Sequence, residues 1–402
     1  EHGDVESWRT RYPGHPGAER IASIAEHPVV APAAAAAAPA SVPLPQAGPK
    51  GLVALLLPLT GPTAASGEAV RDGFLSARFA AGASAAPVRI YDSGSAPAAS
   101  VAAYQQALHD GASLVVGPLR KESVVAIANV GVLSTPVLAL NYLEPAASPS
   151  NFYQFGLAPE DEARAAAENA IGRDLRSAVA LVPKADWGER ALAAFSQRFT
   201  ELGGHVLKAA RYDPSLRDFT VPIQELLSVD ASNERHRAIT SLLGKKTEFE
   251  PHRRDDIDVV FLAARPSEGR LIWPQLRYNG AGDLAAYATS LIYSGTAEPD
   301  LAGLAFCDMP WMLGGAAPLE NLHAETTEVP GARFQPRLFA MGYDAYALAG
   351  VIASGQLQHG ASFGAATGEL ALGSNGVIAR RLQCAQIDSG KLTPLAASGS
   401  GL

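Results

Sequence analysis

The sequence predicts an α/β protein with two Rossmann-like lobes, a hinge and a cleft between them. Short apolar runs alternate with amphipathic helical stretches, and this alternation occurs twice, from residue 51 and again after residue 173. The predicted strands are apolar throughout, which indicates parallel sheets covered by helices on both faces. With 402 residues, the chain is long enough for two or three units that each have a core.

The first series begins with "LVALLL" (residues 52–57), which ends at Pro58. Six apolar residues are far fewer than the roughly 18–20 that a membrane span needs, so this run is predicted to be a buried strand. The strands predicted for this series are Leu52–Leu57, Val88–Tyr91, Leu114–Val116 and Pro136–Leu140. Helices are predicted over residues 67–82, 98–111 and 121–131.

The second series repeats the pattern after "FYQFGLAPEDEARAAAENAIGR" (152–173). Its predicted strands are Ala178–Val182, His205–Tyr212, Asp258–Ala263, Ala285–Ser290 and Leu304–Phe306. Its predicted helices cover residues 188–204, 221–229 and 269–280. A further helix is expected over 334–354, followed by a hairpin with glycine turns within 367–388.

The N-terminal region has a different composition. Residues 1–28 contain a short helical piece with turn signals, and residues 29–50 are rich in Ala and Pro, as in an extended interdomain spacer. We expect residues 1–28 to be the remnant of a helical domain and 29–50 to be a linker. Lobe one is expected to comprise 51–155 and about 295–355, and lobe two 156–294 and about 356–390.

Composition excludes several classes of protein. The net charge of −8 argues against a nucleic-acid-binding protein, which needs a basic face. The spacing of Cys307 and Cys384 shows no metal-binding motif. Two free, buried thiols are the favoured interpretation of this pair, and a single disulfide bridge in an oxidising compartment is the alternative.

The motifs of catalysis and of cofactor binding are missing from the sequence. The stretch "LTGPTAASG" (59–67) matches neither glycine fingerprint of nucleotide sites, and there is no G-x-S-x-G or S-x-x-K nucleophile. The nine histidines lack the paired spacing of a metal site. We therefore expect no enzyme activity, no cofactor and no metal.

Loops at the carboxyl ends of the predicted strands are the candidate binding site, because open α/β sheets place their ligands there. Hydroxyl, amide and aromatic side chains on facing loops suit a small polar ligand. The alternative is that these loops only cap helices and turn the chain. The candidate residues are Thr60, Gly61, Thr63, Ser66, Gly117, Pro118, Leu119, Asn141, Tyr142, Trp187, Ser290 and Tyr293.

Several stretches resemble a known family. The "PLTG" turn, "DGASLVVGPLRKESV" (110–124), "FGLAPEDEARAAA" (155–167) and "TGELALGSNGVIARRL" (367–382) resemble the type I periplasmic binding-protein fold. Within this fold they most resemble the penicillin-binding-protein activator lipoproteins, the LpoA/LppC family. The resemblance covers about residues 51–390, and "WRTRYPGHPGAE" (8–19) is similar to the end of that family's helical N-terminal domain.

The resemblance implies a function. Members of this family are expected to be non-catalytic regulators that bind and activate a class A penicillin-binding protein, a bifunctional peptidoglycan synthase of the cell wall. They are expected in the periplasm, held on the inner face of the outer membrane by a lipid anchor that this chain lacks. No nucleic-acid partner is expected.

The alternative function is that of a periplasmic solute-binding protein for an amino acid, an amide or a peptidoglycan fragment. Relatives that bind amino acids carry small hydroxyl residues in the loop after the third strand, whereas this chain has Pro118 and Leu119 there. The resemblance places Trp187 where such relatives carry an aromatic residue over the ligand. The first-strand loop, with Thr60, Thr63 and Ser66, keeps the hydroxyl-rich character.

Overall fold

Two open sheets of parallel strands organise the protein, one in each lobe. The structure is a computed structural model that describes residues 42–43, 49–82, 85–143, 148–245, 247–314 and 317–396. The helical remnant expected for residues 1–28 and most of the linker expected for 29–50 lie outside the described residues. The described residues all belong to one compact unit, Ala40–Ser398.

The elements are numbered in chain order. The strands are β1 (Val42–Pro43), β2 (Val53–Leu57), β3 (Val88–Asp92), β4 (Leu114–Val116), β5 (Val137–Ala139), β6 (Phe152–Gln154), β7 (Ser177–Pro183), β8 (His205–Tyr212), β9 (Val259–Leu262), β10 (Ala285–Ala288), β11 (Leu304–Asp308), β12 (Ser362–Ala365), β13 (Gly368–Leu372), β14 (Ile378–Arg381), β15 (Gln383–Asp388) and β16 (Lys391–Pro394). The helices are α1 (Ala64–Ala80), α2 (Pro97–His109), α3 (Lys121–Ala128), α4 (Pro159–Gly172), α5 (Asp186–Glu201), α6 (Thr220–Leu227), α7 (Val229–Leu243), α8 (Pro266–Leu276), α9 (Pro310–Leu313), α10 (Ala317–Thr326), α11 (Pro330–Phe334) and α12 (Pro336–Ala353).

The first sheet has the strand order β3-β2-β4-β5-β6, and all its strands are parallel. Its inner strand β2 is fully buried because both faces are covered. Val53, Leu55 and Leu57 pack beneath α1 and α12, whereas Ala54 and Leu56 pack beneath α2 and α3. The prediction of a parallel sheet covered on both faces is confirmed.

The second sheet has the order β16-β15-β11-β10-β9-β7-β8. Strands β7 to β11 are parallel, and β15 and β16 extend the sheet in antiparallel pairing. Helices α4 and α5 cover one face of this sheet, and α6 and α8 cover the other. The chain reaches β15 only after it has passed through the first lobe again.

A disulfide joins the two cysteines of the chain across β11 and β15. Cys307 and Cys384 lie directly opposite each other in the antiparallel pairing of these strands. The interpretation of free thiols is therefore wrong, and the single bridge is the correct alternative. Spacing along the chain does not reveal the pair, because 77 residues separate two strands that become neighbours only in the finished sheet.

Sheet membership corrects the lobe boundaries expected after residue 294. Leu304–Asp308 pairs in parallel with β10, so it belongs to the second sheet and not to lobe one. A small sheet of order β1-β12-β13-β14 instead belongs with the first lobe, because Phe363, Leu370 and Ile378 are part of that lobe's core. Alternation of strands and helices does not specify which sheet a strand joins.

Helix α7 is absent from the predicted elements, as are α4 and the helices α9, α10 and α11 of the connection from β11 to α12. Helix α7 begins after Ser228, whose φ of 59° ends α6 in the left-handed region. Only Val229 and Ser232 of α7 are buried, so most of this helix contributes little to the core. None of the helices within the described ranges has the length and apolarity that a bilayer crossing requires.

Candidate functional site

The chain passes between the lobes three times within the described residues. The first crossover (residues 155–158) leads from β6 to α4, the second (309–335) from β11 to α12, and the third is the single residue Leu382 between β14 and β15. In a two-lobed fold of this kind, any ligand cleft and any hinge lie beside the crossovers. Several charged side chains near the crossovers are buried and hydrogen-bonded.

Arg380 and Asp161 form one pair. Arg380 lies on β14, and its side chain is only 2% exposed. Its Nη2 donates to Oδ2 of Asp161, in the first turn of α4, at 3.1 Å. The Tyr142 hydroxyl donates to the Gly156 carbonyl oxygen at 3.1 Å and also lies 3.4 Å from Asp161 Oδ2. Burial and the Asp161 charge raise the pKa of Tyr142, so this hydroxyl keeps its proton.

Arg337 and Asp308 form the second pair. Arg337 Nη2 lies 2.6 Å from Asp308 Oδ2, and its Nε lies 3.1 Å from the same oxygen. The same Nη2 donates to the carbonyl oxygens of Ser290 at 3.0 Å and Tyr293 at 2.9 Å. Asp308 is 2% exposed, and burial raises its pKa although Arg337 opposes that shift.

Two more buried carboxylates complete the cluster. Glu162 accepts a hydrogen bond from the Ser290 backbone N–H at 2.8 Å, and burial together with the charge of Asp308 raises its pKa to about 7. Asp344 on α12 accepts hydrogen bonds from the Thr367 N–H at 2.7 Å and the Thr367 hydroxyl at 2.6 Å. Burial raises the pKa of Asp344 to about 6.

We call these six residues the crossover cluster. It contains four carboxylic acid groups and only two arginines. Because two positive charges cannot neutralise four buried carboxylates, one of the carboxyl groups is able to keep its proton near neutral pH. The described residues contain no group of histidine, cysteine and carboxylate side chains suited to a metal. The arrangement is suited to holding the lobes together. Its members are Asp161, Glu162, Asp308, Arg337, Asp344 and Arg380.

The predicted hydrogen-bonding residues of the first lobe are largely engaged within the fold. The Thr60 hydroxyl donates to Asp92 Oδ2 at 2.6 Å, and the Ser66 hydroxyl donates to Gln335 Oε1 at 3.2 Å. Asn141 donates through Nδ2 to the Leu119 carbonyl oxygen at 3.0 Å. The Thr63 hydroxyl oxygen differs, because it is buried and has no hydrogen-bond partner among the described residues.

The glycine and proline candidates shape turns. Gly117 has φ +103° and precedes a cis peptide bond to Pro118. A Cβ at Gly117 would lie 2.0 Å from the Leu56 carbonyl oxygen, so only glycine fits against β2. Gly61, with φ +81°, lies in the exposed turn before α1. Leu119 packs against the core between the first sheet and helices α1 and α12.

Two of the second-lobe candidates, Ser290 and Tyr293, accept hydrogen bonds from Arg337 through their backbone carbonyl oxygens. Tyr293 also stacks on Phe306, with ring centroids 5.1 Å apart. Trp187, at the start of α5, is half-buried against the core beneath that helix. Of the predicted candidates, Ser290, Tyr293 and Tyr142 thus contact the crossover cluster. Trp187 instead packs against the core of the second lobe.

Sequence reasoning missed the six charged residues of the crossover cluster. One signal was available, because Arg337 and Asp344 are the two charged residues of an otherwise apolar helix. A charged side chain in such a helix requires a buried partner. The partners were not identifiable, since they come from α4, β11, β14 and the β12–β13 turn.

The fold is that of type I periplasmic binding proteins. The protein is similar to a "putative branched-chain amino acid ABC transporter" from Chromobacterium violaceum, with a TM-score of 0.64, 24% identity, and coverage of 84% of this chain and 100% of that one. It is equally similar to the "LpoA (YraM) C-domain from Haemophilus influenzae, a regulator of PBP1A", with a TM-score of 0.64, 24% identity, and coverage of 86% and 100%. These likenesses establish the fold.

The chain belongs to the family described as "LppC putative lipoprotein", whose model matches residues 2–390. A relative from Vibrio antiquarius, named "Penicillin-binding protein activator LpoA", is 29% identical over 95% of this chain and 62% of its own length. A relative of the same name from Klebsiella pneumoniae is 32% identical over 77% of this chain and 45% of its own length. The chain thus spans less than two thirds of either relative, and the family resemblance seen in the sequence is confirmed.

Proposed function

We propose that this chain is part of a non-catalytic regulator that binds and activates a class A penicillin-binding protein, a bifunctional peptidoglycan synthase. The observation that carries the proposal is the LppC match over residues 2–390. Relatives named as activators align with 77% to 98% of the chain. The crossover cluster agrees with a non-catalytic role, because its charged groups are paired with one another or with the backbone.

The proposal extends to the location of the protein. We place it in the cell envelope, in the periplasm, on the inner face of the outer membrane and held there by a lipid anchor. The family description names a lipoprotein. The buried Cys307–Cys384 disulfide also fits an oxidising compartment such as the periplasm, where disulfides form and persist.

The solute-binding alternative is not favoured. A solute receptor needs free hydrogen-bonding groups that converge on its ligand. In the first lobe, the side chains of Thr60, Ser66 and Asn141 are used by the fold itself. Near the crossovers, Arg337 is paired with Asp308 and Arg380 with Asp161.

Binding and stimulation of a synthase test the proposed function. The 402-residue chain and a longer form with the remaining family domain are each immobilised, and a purified class A penicillin-binding protein is passed over them. Its peptidoglycan synthesis is measured with and without each form. We expect retention of the synthase and a faster reaction. A solute-binding protein of the same fold serves as the control, and a longer form that neither binds nor stimulates the synthase would contradict the proposal.

A further inference from the structure

We propose that Asn375 is a site of spontaneous covalent modification, at which the side-chain amide is lost and an aspartate or isoaspartate residue forms. Asparagine reacts in this way most readily when glycine follows it, because glycine has no side chain to shield its backbone nitrogen. The chain has two such pairs, Asn279–Gly280 and Asn375–Gly376. Their surroundings in the folded protein differ, and the difference favours reaction at only one of them.

The chemical step uses only the chain and water. The backbone nitrogen of Gly376 attacks Cγ of Asn375, so that a new N–C bond forms and the bond from Cγ to Nδ2 breaks. The attacking nitrogen gives up its proton to solvent, and the leaving group takes up a proton and departs as ammonia. Water then opens the resulting succinimide at one of its two carbonyl carbons, which yields aspartate in one case and isoaspartate in the other.

The side chain of Asn375 is able to turn toward the attacking nitrogen. Asn375 is exposed and lies, with φ 55°, in the short turn between β13 and β14. Its backbone carbonyl oxygen accepts a hydrogen bond from Gln154 Nε2 at 3.1 Å, whereas its side-chain amide has no hydrogen-bond partner in the part of the chain that the structure describes. Reaction therefore requires only a local opening of an exposed turn, which is among the least costly motions of a folded protein.

The packing of the turn requires the glycine that makes this asparagine reactive. Gly376 has φ +70°, and a Cβ there would lie 2.2 Å from the Phe152 carbonyl oxygen of β6. Since that obstacle is a backbone atom, any other residue would push the turn away from β6. The fold thus needs glycine after Asn375 and places the pair at the surface.

Asn279 is protected by its contacts. It is half-buried in the turn Arg277–Ala281 that follows α8. Its Nδ2 donates to the Gln275 carbonyl oxygen at 2.8 Å, and its Oδ1 accepts from Gln224 Nε2 at 3.3 Å. The carbonyl oxygen of Gly280 is also held, by Arg253 Nε at 2.7 Å. Rotation of the Asn279 side chain toward the Gly280 nitrogen breaks both side-chain hydrogen bonds, so we expect this pair to react slowly.

The modification would alter the start of β14. In isoaspartate the main chain runs through the side-chain carbon, which inserts one more carbon before Gly376, where the Phe152 carbonyl oxygen leaves no spare room. Strand β14 begins two residues later and carries Arg380, which pairs with Asp161 of the second lobe. Formation of isoaspartate thus acts on the segment that enters the third crossover, whether or not the chain binds a synthase.

Ageing of the whole chain tests the site. The folded 402-residue chain is incubated at physiological temperature and mildly alkaline pH, and mass spectrometry of its peptides measures the conversion of amide to acid at both pairs. The tryptic peptide Leu338–Arg380 contains Asn375 as its only asparagine, and electron-transfer fragmentation distinguishes isoaspartate from aspartate there. We expect Asn375 to convert at least about tenfold faster than Asn279. Equal rates, faster conversion of Asn279 or an unmodified Asn375 overturns the proposal.

Unfolding provides the control for the role of structure. In concentrated urea with the disulfide reduced, neither pair is protected, so the two rates should become similar. A difference as large in urea as in the folded chain would show that local sequence selects the site, and it overturns the structural assignment. Asn279→Gln should leave the rate at Asn375 unchanged in the folded chain.

Hydrogen exchange tests the effect on β14. We expect the amides of β14 to exchange faster in the isoaspartate form than in the unmodified chain, because the added carbon disturbs the turn. The variant Asn375→Asp is the matched control, since it has the same charge without the added carbon, and its β14 amides should exchange as in the parent. Equal exchange in the isoaspartate form and in Asn375→Asp overturns the predicted effect on β14.

Discussion

Arg337 and Asp308 join the two ends of one crossover, with Arg337 Nη2 2.6 Å from Asp308 Oδ2 and the carboxylate only 2% exposed. Since the same guanidinium also binds backbone carbonyl oxygens of the second lobe, one side chain connects α12 to β11 and to the loop after β10. A single residue thereby couples the first lobe's longest described helix to the second sheet.

Removal of one member of this pair is expected to destabilise the whole unit. Arg337→Gln leaves Asp308 buried without its partner, and such changes cost about 3–5 kcal/mol of unfolding free energy. The control Arg270→Gln removes a more exposed pair and should cost less than about 1 kcal/mol. Urea unfolding at pH 7 measures both. Equal losses in the two variants would contradict the buried role, and Arg337→Gln/Asp308→Asn should recover part of the loss.

Glu162 is expected to make stability depend on pH. Its pKa in the folded protein is raised to about 7 from the usual 4.5, so the folded state binds more protons than the unfolded state between these values. Stability should therefore fall as pH rises from about 4.5 to 7 and level off above that range. Asp344, with its pKa raised to about 6, adds a fall of the same sign.

The variant Glu162→Gln isolates this contribution. It should flatten the fall in unfolding free energy between pH 5 and pH 8, so that the variant gains stability relative to the parent at pH 8 but not at pH 5. Arg337 and Arg380 face the carboxylate and partly favour its charge, and Asp308 opposes it. Exposed Glu68 on α1 provides the control Glu68→Gln, which should leave the curve unchanged. A Glu162→Gln curve parallel to that of the parent would contradict this account.

The disulfide is expected to contribute about 2–5 kcal/mol to stability. It links residues 77 positions apart and so restricts the unfolded chain over a long loop. Urea unfolding in the presence of a thiol reductant should show this loss, and the folded Cys307→Ala/Cys384→Ala variant should show no effect of the reductant. Coincident unfolding curves of the parent with and without reductant would argue against the contribution.

The sequence predicted the helices and strands better than it predicted which side chains pair with one another in the folded protein. The strands around "LVALLL" and "ALVP" and the helix over 334–354 are recognisable because burial on both faces requires apolar runs. Helix α7 was missed because little of it is buried. The crossover cluster was missed for another reason: its members lie as far apart as Asp161 and Arg380, and only the closed topology brings them together.

Two threonines in the same loop, Thr60 and Thr63, differ in the hydrogen bonding of their hydroxyl groups. Thr60 donates to Asp92, so Thr60→Val should cost about 1 kcal/mol of unfolding free energy. The hydroxyl oxygen of Thr63 is buried without a partner among the described residues, so Thr63→Val should be neutral or stabilising. Thermal unfolding of both variants measures this contrast. A loss in Thr63→Val equal to that in Thr60→Val would show that the Thr63 hydroxyl has a partner.

The contact between α1 and α12 should be among the least tolerant of added volume. The helices approach so closely that a Cβ at Gly73 would lie 1.9 Å from the Phe339 carbonyl oxygen, and one at Gly342 would lie 2.0 Å from that of Val70. Because both obstacles are backbone atoms, Gly73→Ala forces the helices apart and should cost about 1–3 kcal/mol or more. Gly282→Ala, whose Cβ would have no neighbour nearer than 3.8 Å, is the matched control and should be near neutral. Urea unfolding distinguishes them, and a Gly73→Ala variant as stable as Gly282→Ala would mean that the helices separate at little cost.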